Sequence, residues 1–159
     1  MRRTVLLAAG LFACALAQAG VRLDDSLSPR QRVEATTRFL YEGVGNWNAD
    51  QVSALVAQVR GMEFRLRTAP YVGKSAEIYL TVADHVSGLK SPTAMRLEWT
   101  TRGRFAPGSL VPGTRALVYR GKITDAVMSD FFDFTIYLDA RDWERGLEFD
   151  PVFEIDVVP

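Results

Sequence analysis

The sequence predicts a mainly β protein, α+β overall: an antiparallel β-sandwich of about six strands with an N-terminal two-helix segment. Two observations favour this class. Three runs, at 95–100, 116–123 and 131–139, alternate apolar and polar residues with the period of two that is typical of half-buried strands. Helical spacing of apolar residues is confined to the segment before residue 61. A single antiparallel sheet packed by the two helices is the alternative.

The first nineteen residues have the layout of a secretory signal peptide. A basic start at 1–3 precedes an apolar run at 5–17, and Ala17-Gln18-Ala19 offers a small-x-small cleavage site before Gly20. The apolar run is shorter than the roughly 20 residues that a membrane-spanning helix needs. We therefore expect cleavage near Ala19/Gly20, a periplasmic or secreted protein, and no membrane span.

Cys14, the only cysteine, offers an alternative to full release. It follows Leu11-Phe12-Ala13, which resembles a lipidation site, so a lipid anchor at Cys14 is the minor alternative. The bulky Phe12 and the apolar continuation at 15–17 argue against it. If cleavage follows Ala19, the mature chain has no cysteine, which excludes an intramolecular disulfide, a thiol nucleophile and a Cys-ligated metal.

The charge of the mature chain is nearly balanced. Removing Arg2 and Arg3 from the 19 basic residues leaves 17 against 19 acidic residues, a formal net charge of −2. This balance predicts neither a nucleic-acid partner nor a polybasic membrane patch. The remaining length suits one core, which we divide into an N-terminal helical segment at 20–61 packing on the sheet and an antiparallel β domain at 62–159.

Two helices are predicted in the segment at 20–61. For the first, Ser28-Pro29-Arg30-Gln31 provides an N-cap, a proline at N1 and a capping box, and the helix ends near Gly43. The threonines and aromatic residues at 36–41 also suit a strand. The second helix covers 49–60, with apolar residues at 52, 55, 56 and 59 and Gly61 as its C′ residue.

Six strands follow, each recognised by alternation. The first lies at 62–67 and the second at 76–82, the three runs named above follow, and the last covers 153–157. Trp99 falls on an apolar face and should be buried, while Trp47 and Trp143 should cover the ends of the core.

His85 is the sole histidine and has Asp84 and Ser87 as sequence neighbours. A catalytic triad is assembled in space and not by sequence adjacency, so we expect an exposed turn here. One histidine is too few for a His-rich zinc site.

Acidic residues are concentrated in the last third of the chain, and they suggest either a carboxylate pair for hydrolysis or oxygen ligands for calcium. No twelve-residue calcium loop is present, and alternation favours a solvated face. The loop at 139–142 would be the place for a hard cation. We therefore expect no metal site and no cofactor. The residues are Asp130, Asp133, Asp139, Asp142 and Asp150.

The twelve residues at 102–113 form a long connection between two strands and are the candidate binding site. Apolar Phe105 and Leu110 are flanked by Arg102, Arg104 and Arg115, a composition enriched at protein interfaces. The docking hypothesis requires Phe105 or Leu110 to be exposed for a protein partner. In the alternative, the apolar side chains plug the end of the sandwich and the arginines pair with Glu98 or other acidic residues across strands.

These observations predict an exported bacterial envelope protein that acts as a non-catalytic binding or assembly module. No set of His, Cys and carboxylate residues that would support catalysis is recognisable. The alternatives are a small hydrolase using Asp and Glu carboxylates and a structural envelope protein without a specific ligand.

Overall fold

The computed structural model describes residues 20–29, 36–39, 54–148 and 150–159, with backbone only at 36–39, 54 and 145. The predicted signal peptide, Cys14 and Trp47 lie outside these residues. Eleven strands are described: β1 (Val21–Arg22), β2 (Thr36–Phe39), β3 (Ala54–Arg67), β4 (Ser75–Val82), β5 (Ser87–Leu89), β6 (Met95–Thr101), β7 (Gly108–Leu110), β8 (Arg115–Lys122), β9 (Val127–Asp139), β10 (Trp143–Glu148) and β11 (Pro151–Val157).

The strands form antiparallel sheets. One sheet has the order β1-β11-β4-β8, a second has the order β2-β3-β9-β6-β7, and β10 pairs with β5 in a two-stranded sheet. Side chains from the inner faces of the two large sheets belong to a single buried cluster. The predicted antiparallel β-sandwich is therefore confirmed.

Aromatic rings join the two large sheets. Phe153 of β11 lies 4.9 Å from Phe64 of β3 and 5.6 Å from Phe132 of β9, measured between ring centroids. Each buried Phe contributes roughly 1.5–3 kcal/mol of transfer free energy.

The alternation predicted for β4, β9 and β11 is present, because every second residue of these strands is buried over most of their length. Trp99 is buried, as expected.

The prediction of an N-terminal two-helix segment is wrong for the described residues. Residues 36–39 and 54–60 lie in β2 and β3, and the described helical turns are short 3₁₀ segments at Ala69–Tyr71 and Pro92–Ala94. In β3, Leu55, Val56 and Ala57 are all buried. A strand buried on both faces has consecutive apolar residues, so its spacing can imitate that of a helix.

Gly61 has a positive φ, as the predicted helix C′ residue would have, but here the positive φ belongs to an irregularity in a strand. Its φ is +70°, and the register between β3 and β9 shifts between Val59 and Met62. This is a β-bulge, and its N–H donates to the carboxylate of Asp133 at 2.6 Å. The expected boundary between residues 61 and 62 consequently falls inside β3.

The described helical segments are all single turns. None of them has the length and apolar character that crossing a membrane would require.

Candidate functional site

The apolar residues of the predicted docking loop are part of the core. Phe105 is 2% exposed and Leu110 is 5% exposed, so the expectation that one of them is exposed for a partner is wrong. The Phe105 ring lies 5.8 Å from the Phe132 ring and 6.2 Å from the Phe153 ring. Leu110 lies in β7 opposite Leu97 of β6. Their positions agree with the alternative interpretation, in which these side chains close the end of the sandwich.

A buried carboxylate fixes the conformation of this loop. Asp130 is 4% exposed and accepts the backbone N–H groups of Arg102 at 3.3 Å, Phe105 at 3.0 Å and Phe131 at 2.7 Å. Gly103 packs against the same group, since a methyl group placed on it would lie 2.9 Å from both oxygens. Asp130 therefore has a structural role that the sequence analysis did not assign to it.

The three arginines of the predicted site are ion-paired and lie apart. Arg102 donates to Asp133 at 3.0 Å on the outer face of the five-stranded sheet, whereas Arg104 contacts Asp125 at 2.5 Å. This hydrogen bond is the main cause of the lowered pKa of Asp125. Arg115 lies on the outer face of the other large sheet. The three guanidinium groups do not converge on one ligand position.

The acidic residues are similarly dispersed. Asp130 and Asp133 are three positions apart on β9, which places them on opposite faces of the sheet. Asp139 binds Arg141 at 2.6 Å, and Asp150 lies 3.8 Å from Arg22. Among the residues the structure describes, no three His, Cys, Asp or Glu side chains are grouped as a metal site would require.

His85 and Trp143, which the sequence analysis also considered, lie at the surface and against the core, respectively. His85 is exposed, as are its neighbours Asp84 and Ser87. Trp143 packs partly against the core, as expected, and its buried indole N–H has no hydrogen-bond partner in the described part of the chain.

The structure instead shows a polar depression of about 660 Å³ on the outer face of the five-stranded sheet. It is formed where β3, β9, β6 and β7 lie side by side. At the edge strand β7 it is lined by Gly108, which lies opposite the buried Trp99. The lining residues are Gln58, Arg60, Glu98, Trp99, Thr100, Pro107, Gly108, Ser109, Asp133, Phe134 and Thr135.

The centre of this depression is a row of four polar side chains. Strand register places Gln58 opposite Thr135, Thr135 opposite Glu98, and Glu98 opposite Ser109. Neighbouring strands are about 4.8 Å apart, so the row extends for roughly 14 Å across four strands. We name these four residues the polar row. The row presents amide, hydroxyl and carboxylate groups to solvent on a rigid sheet.

Charged residues border the polar row. Glu98 pairs with Arg96 at 3.2 Å, and the Arg96 guanidinium lies 4.5 Å from the centre of the Tyr137 ring. Burial is the main cause of the raised pKa of Tyr137. On the other side, the N–H of Gly61 is the main cause of the lowered pKa of Asp133, and Arg102 adds to it.

Arg60 differs from the other two arginines of this face. It is exposed and donates to Gln58 of the polar row at 3.1 Å. Arg96 and Arg102 each have a carboxylate within ion-pair distance, whereas Arg60 has none among the described residues. Its charge contributes a little to the lowered pKa of Asp133, but it forms no ion pair with that carboxylate. Its exposed guanidinium is therefore the positive group of the depression to which an acidic ligand can bind.

Sequence reasoning missed this surface because its residues come from four separate segments. The signal was present in the outward positions of the alternating strands, where Glu98 and Thr135 both fall. Their alignment into one row depends on strand order and register, which the periodicity of single strands does not specify.

Comparison with known proteins does not add a functional assignment. No protein-family model matches the sequence, no significant match was found among curated proteins, and no solved structure matches significantly.

Proposed function

We propose that this protein is an exported, non-catalytic binding module that takes a polar ligand with one acidic group in the depression of the five-stranded sheet. The observation that supports this proposal is the position of the exposed Arg60 guanidinium beside the polar row. Hydroxyl and amide groups of the row can exchange hydrogen bonds with a hydroxyl-rich ligand, and the Arg60 fork can bind a carboxylate. A hexuronic acid combines these two features.

Export is part of the proposal and has separate support. The signal-like sequence ends at the predicted Ala19/Gly20 cleavage site, and β1 begins at Val21 immediately after it. A chain released by cleavage there would contain all eleven strands that the structure describes. Mass spectrometry of protein recovered from the periplasm of a Gram-negative host should give Gly20 as the first residue.

Binding is tested with glucuronate and glucose, which differ by the C6 carboxylate. Glucuronate titrated into isotope-labelled protein should shift the amide resonances of the polar row at millimolar concentration, and glucose should bind more weakly. Arg60→Ala should weaken glucuronate binding by roughly tenfold, since one charge-assisted hydrogen bond is lost. The matched control is Arg65→Ala, an exposed arginine of the same strand that pairs with Glu63 at 2.7 Å outside the depression.

Thr135→Val tests the polar row itself, because valine keeps the shape and removes the hydroxyl group. It should weaken the binding of both sugars. If neither sugar shifts the resonances of the polar row, or if Arg60→Ala binds glucuronate as the unmodified protein does, the proposed ligand class is wrong.

A further inference from the structure

A second charged cluster lies on the opposite side of the molecule, on the outer face of the four-stranded sheet. Arg115 of β8 extends across Tyr79 of β4, with its guanidinium 4.2 Å from the ring centre. It reaches β11, where it pairs with Glu154 at 2.8 Å and Asp156 at 3.0 Å. These side chains are only partly exposed, which strengthens their mutual interactions relative to those in free solution.

This cluster has more negative than positive groups. Asp156 lies directly opposite Glu77 of β4, and Glu77 binds Arg120 at 2.7 Å. Arg22 of β1 lies directly opposite Glu154 and pairs with Asp150 at 3.8 Å. With this pair included, the face has four carboxylates against three guanidinium groups, which leaves a formal charge of −1. Carboxylates directly opposite each other across a strand pair are destabilising, so a further cation would stabilise this face.

Gly20 lies against the same cluster. A methyl group placed on it would be 2.5 Å from a terminal nitrogen of Arg115 and 2.9 Å from a carboxylate oxygen of Asp156. Bond geometry places the nitrogen of a residue about 2.5 Å from its Cβ position, so the Gly20 nitrogen is within about 5.4 Å of the Asp156 carboxylate and within about 5.0 Å of the Arg115 guanidinium. At this distance a positive charge on the Gly20 nitrogen is attracted by the Asp156 and Glu154 carboxylates and repelled by the single Arg115 guanidinium, so the net interaction with the three groups is favourable.

We propose that cleavage of the Ala19–Gly20 bond creates the missing cation, and that the α-ammonium group of Gly20 binds the Asp156 and Glu154 carboxylates. Hydrolysis of this bond consumes one water and leaves a carboxylate on Ala19 and an ammonium group on Gly20. The proposal rests on the export part of the proposed function and does not depend on the ligand. Processing then both releases the chain and stabilises the edge of the sandwich at β1.

The proposal has a defined pH dependence. The charged and titratable groups of this face are Arg115 and Arg120 from β8, Tyr79 and Glu77 from β4, Glu154 and Asp156 from β11, and Arg22 from β1. Of these, Arg115, Asp156 and Glu154 lie against Gly20. An α-amino group titrates at about 7.7–8.0 when unfolded, and the net negative cluster raises this pKa in the folded chain. The added stability is therefore complete below the unfolded value and is lost as the pH rises through the folded value.

The test uses protein exported from the full-length precursor. Its N-terminus is identified by mass spectrometry, and the Gly20 α-amino group is titrated by NMR. We expect a pKa about 1 pH unit above the usual range, and a return to that range in Asp156→Asn. The matched control is Asp150→Asn, which removes an exposed carboxylate at the other end of β11. Glu154→Gln provides a second variant if Asp156→Asn does not fold.

The outcomes separate the two proposals. An N-terminus other than Gly20 overturns both export by this cleavage and the ammonium site. An N-terminus at Gly20 whose α-amino group titrates in the usual range overturns the ammonium site alone. A raised pKa that Asp150→Asn lowers as much as Asp156→Asn also overturns it, because the effect would then be the general field of the protein. Glucuronate binding at the polar row is independent of all three results.

Discussion

The carboxylate of Asp130 accepts the backbone N–H of Phe105 at 3.0 Å, although the two residues are 25 positions apart. This hydrogen bond connects β9 to the loop that follows β6 and directs the Phe105 ring into the core. A long loop with arginines at its surface therefore has an anchored and buried centre. The loop closes the sandwich, and solvent-facing functions must use its exposed polar groups or another surface.

The first prediction concerns the Asp130 carboxylate. Asp130→Asn keeps the shape but replaces one oxygen acceptor with an NH₂ group that faces backbone donors. A lost hydrogen bond to a buried charged group costs about 1.5–3 kcal/mol, and we expect a loss of free energy of unfolding in that range. Urea unfolding at pH 7 measures it. Asp150→Asn, at a side chain that is 80% exposed, should change stability by less than about 0.5 kcal/mol. Equal effects of the two substitutions would contradict the anchoring role.

The second prediction concerns Gly103 as the residue that packs on this carboxylate. Gly103→Ala brings a methyl group to 2.9 Å from both Asp130 oxygens, and overpacking of this kind costs about 1–3 kcal/mol. The control is the double variant with Asp130→Ala, in which the clash is absent. The Gly103→Ala penalty should be smaller in that background, as a double-mutant cycle measures. Additive losses would show that the contact does not determine the cost.

The strands that sequence predicted well are those with one buried and one solvated face. In β4 and β11, Ile78 and Ile155 alternate with polar neighbours, so period two identifies both the strand and its inner face. The residues of β3 at 55–57 are all buried, and there the pattern has no solvated face to reveal the period. A strand as short as β7, which has three residues, forms because it pairs with a neighbouring strand, and it is too short to show a periodic pattern in the sequence.

The candidate site was predicted less well because ion pairs depend on tertiary structure. Arg102 and Arg104 were expected to surround an interface, but their partners Asp133 and Asp125 are 31 and 21 positions away. The structural role of Asp130 could have been predicted from the sequence. Asp130 is separated from Phe132 and Phe134 by an even number of positions on β9, so all three side chains lie on the inner face. A buried carboxylate there requires hydrogen-bond donors.

The third prediction concerns the bulge at Gly61. Its φ of +70° is unfavourable for residues with a Cβ atom, and a methyl group there would contact nothing within 4 Å. The cost of substitution is therefore conformational, about 1–2 kcal/mol for Gly61→Ala. Gly61→Asn should cost less, because asparagine tolerates this region, and Gly61→Val should cost more. Thermal unfolding gives the order. A valine variant as stable as the asparagine variant would refute the bulge geometry.

The fourth prediction is an acid dependence that originates at Asp133. The N–H of Gly61, at 2.6 Å, is the main cause of the lowered pKa of this carboxylate, and Arg102 contributes less. A carboxylate with a lowered folded pKa stabilises the protein above its unfolded value, about 3.9, and loses this contribution as the pH falls through the folded value. The free energy difference between the unmodified protein and Asp133→Asn should therefore be largest at neutral pH and shrink below about pH 4.

Urea unfolding of both proteins between pH 7 and pH 2.5 tests this prediction. Asp24 and Asp125, whose pKa values are also lowered, titrate in both proteins and cancel in the difference. Arg102→Gln separates the ion pair from the other causes, because it removes the Arg102 guanidinium and leaves the Gly61 hydrogen bond and the smaller contribution of Arg60. This variant should keep the larger part of the acid dependence, even in 0.5 M salt, which screens the exposed ion pair more than the backbone hydrogen bond. If Arg102→Gln abolishes the dependence as completely as Asp133→Asn does, the ion pair and not the bulge controls Asp133.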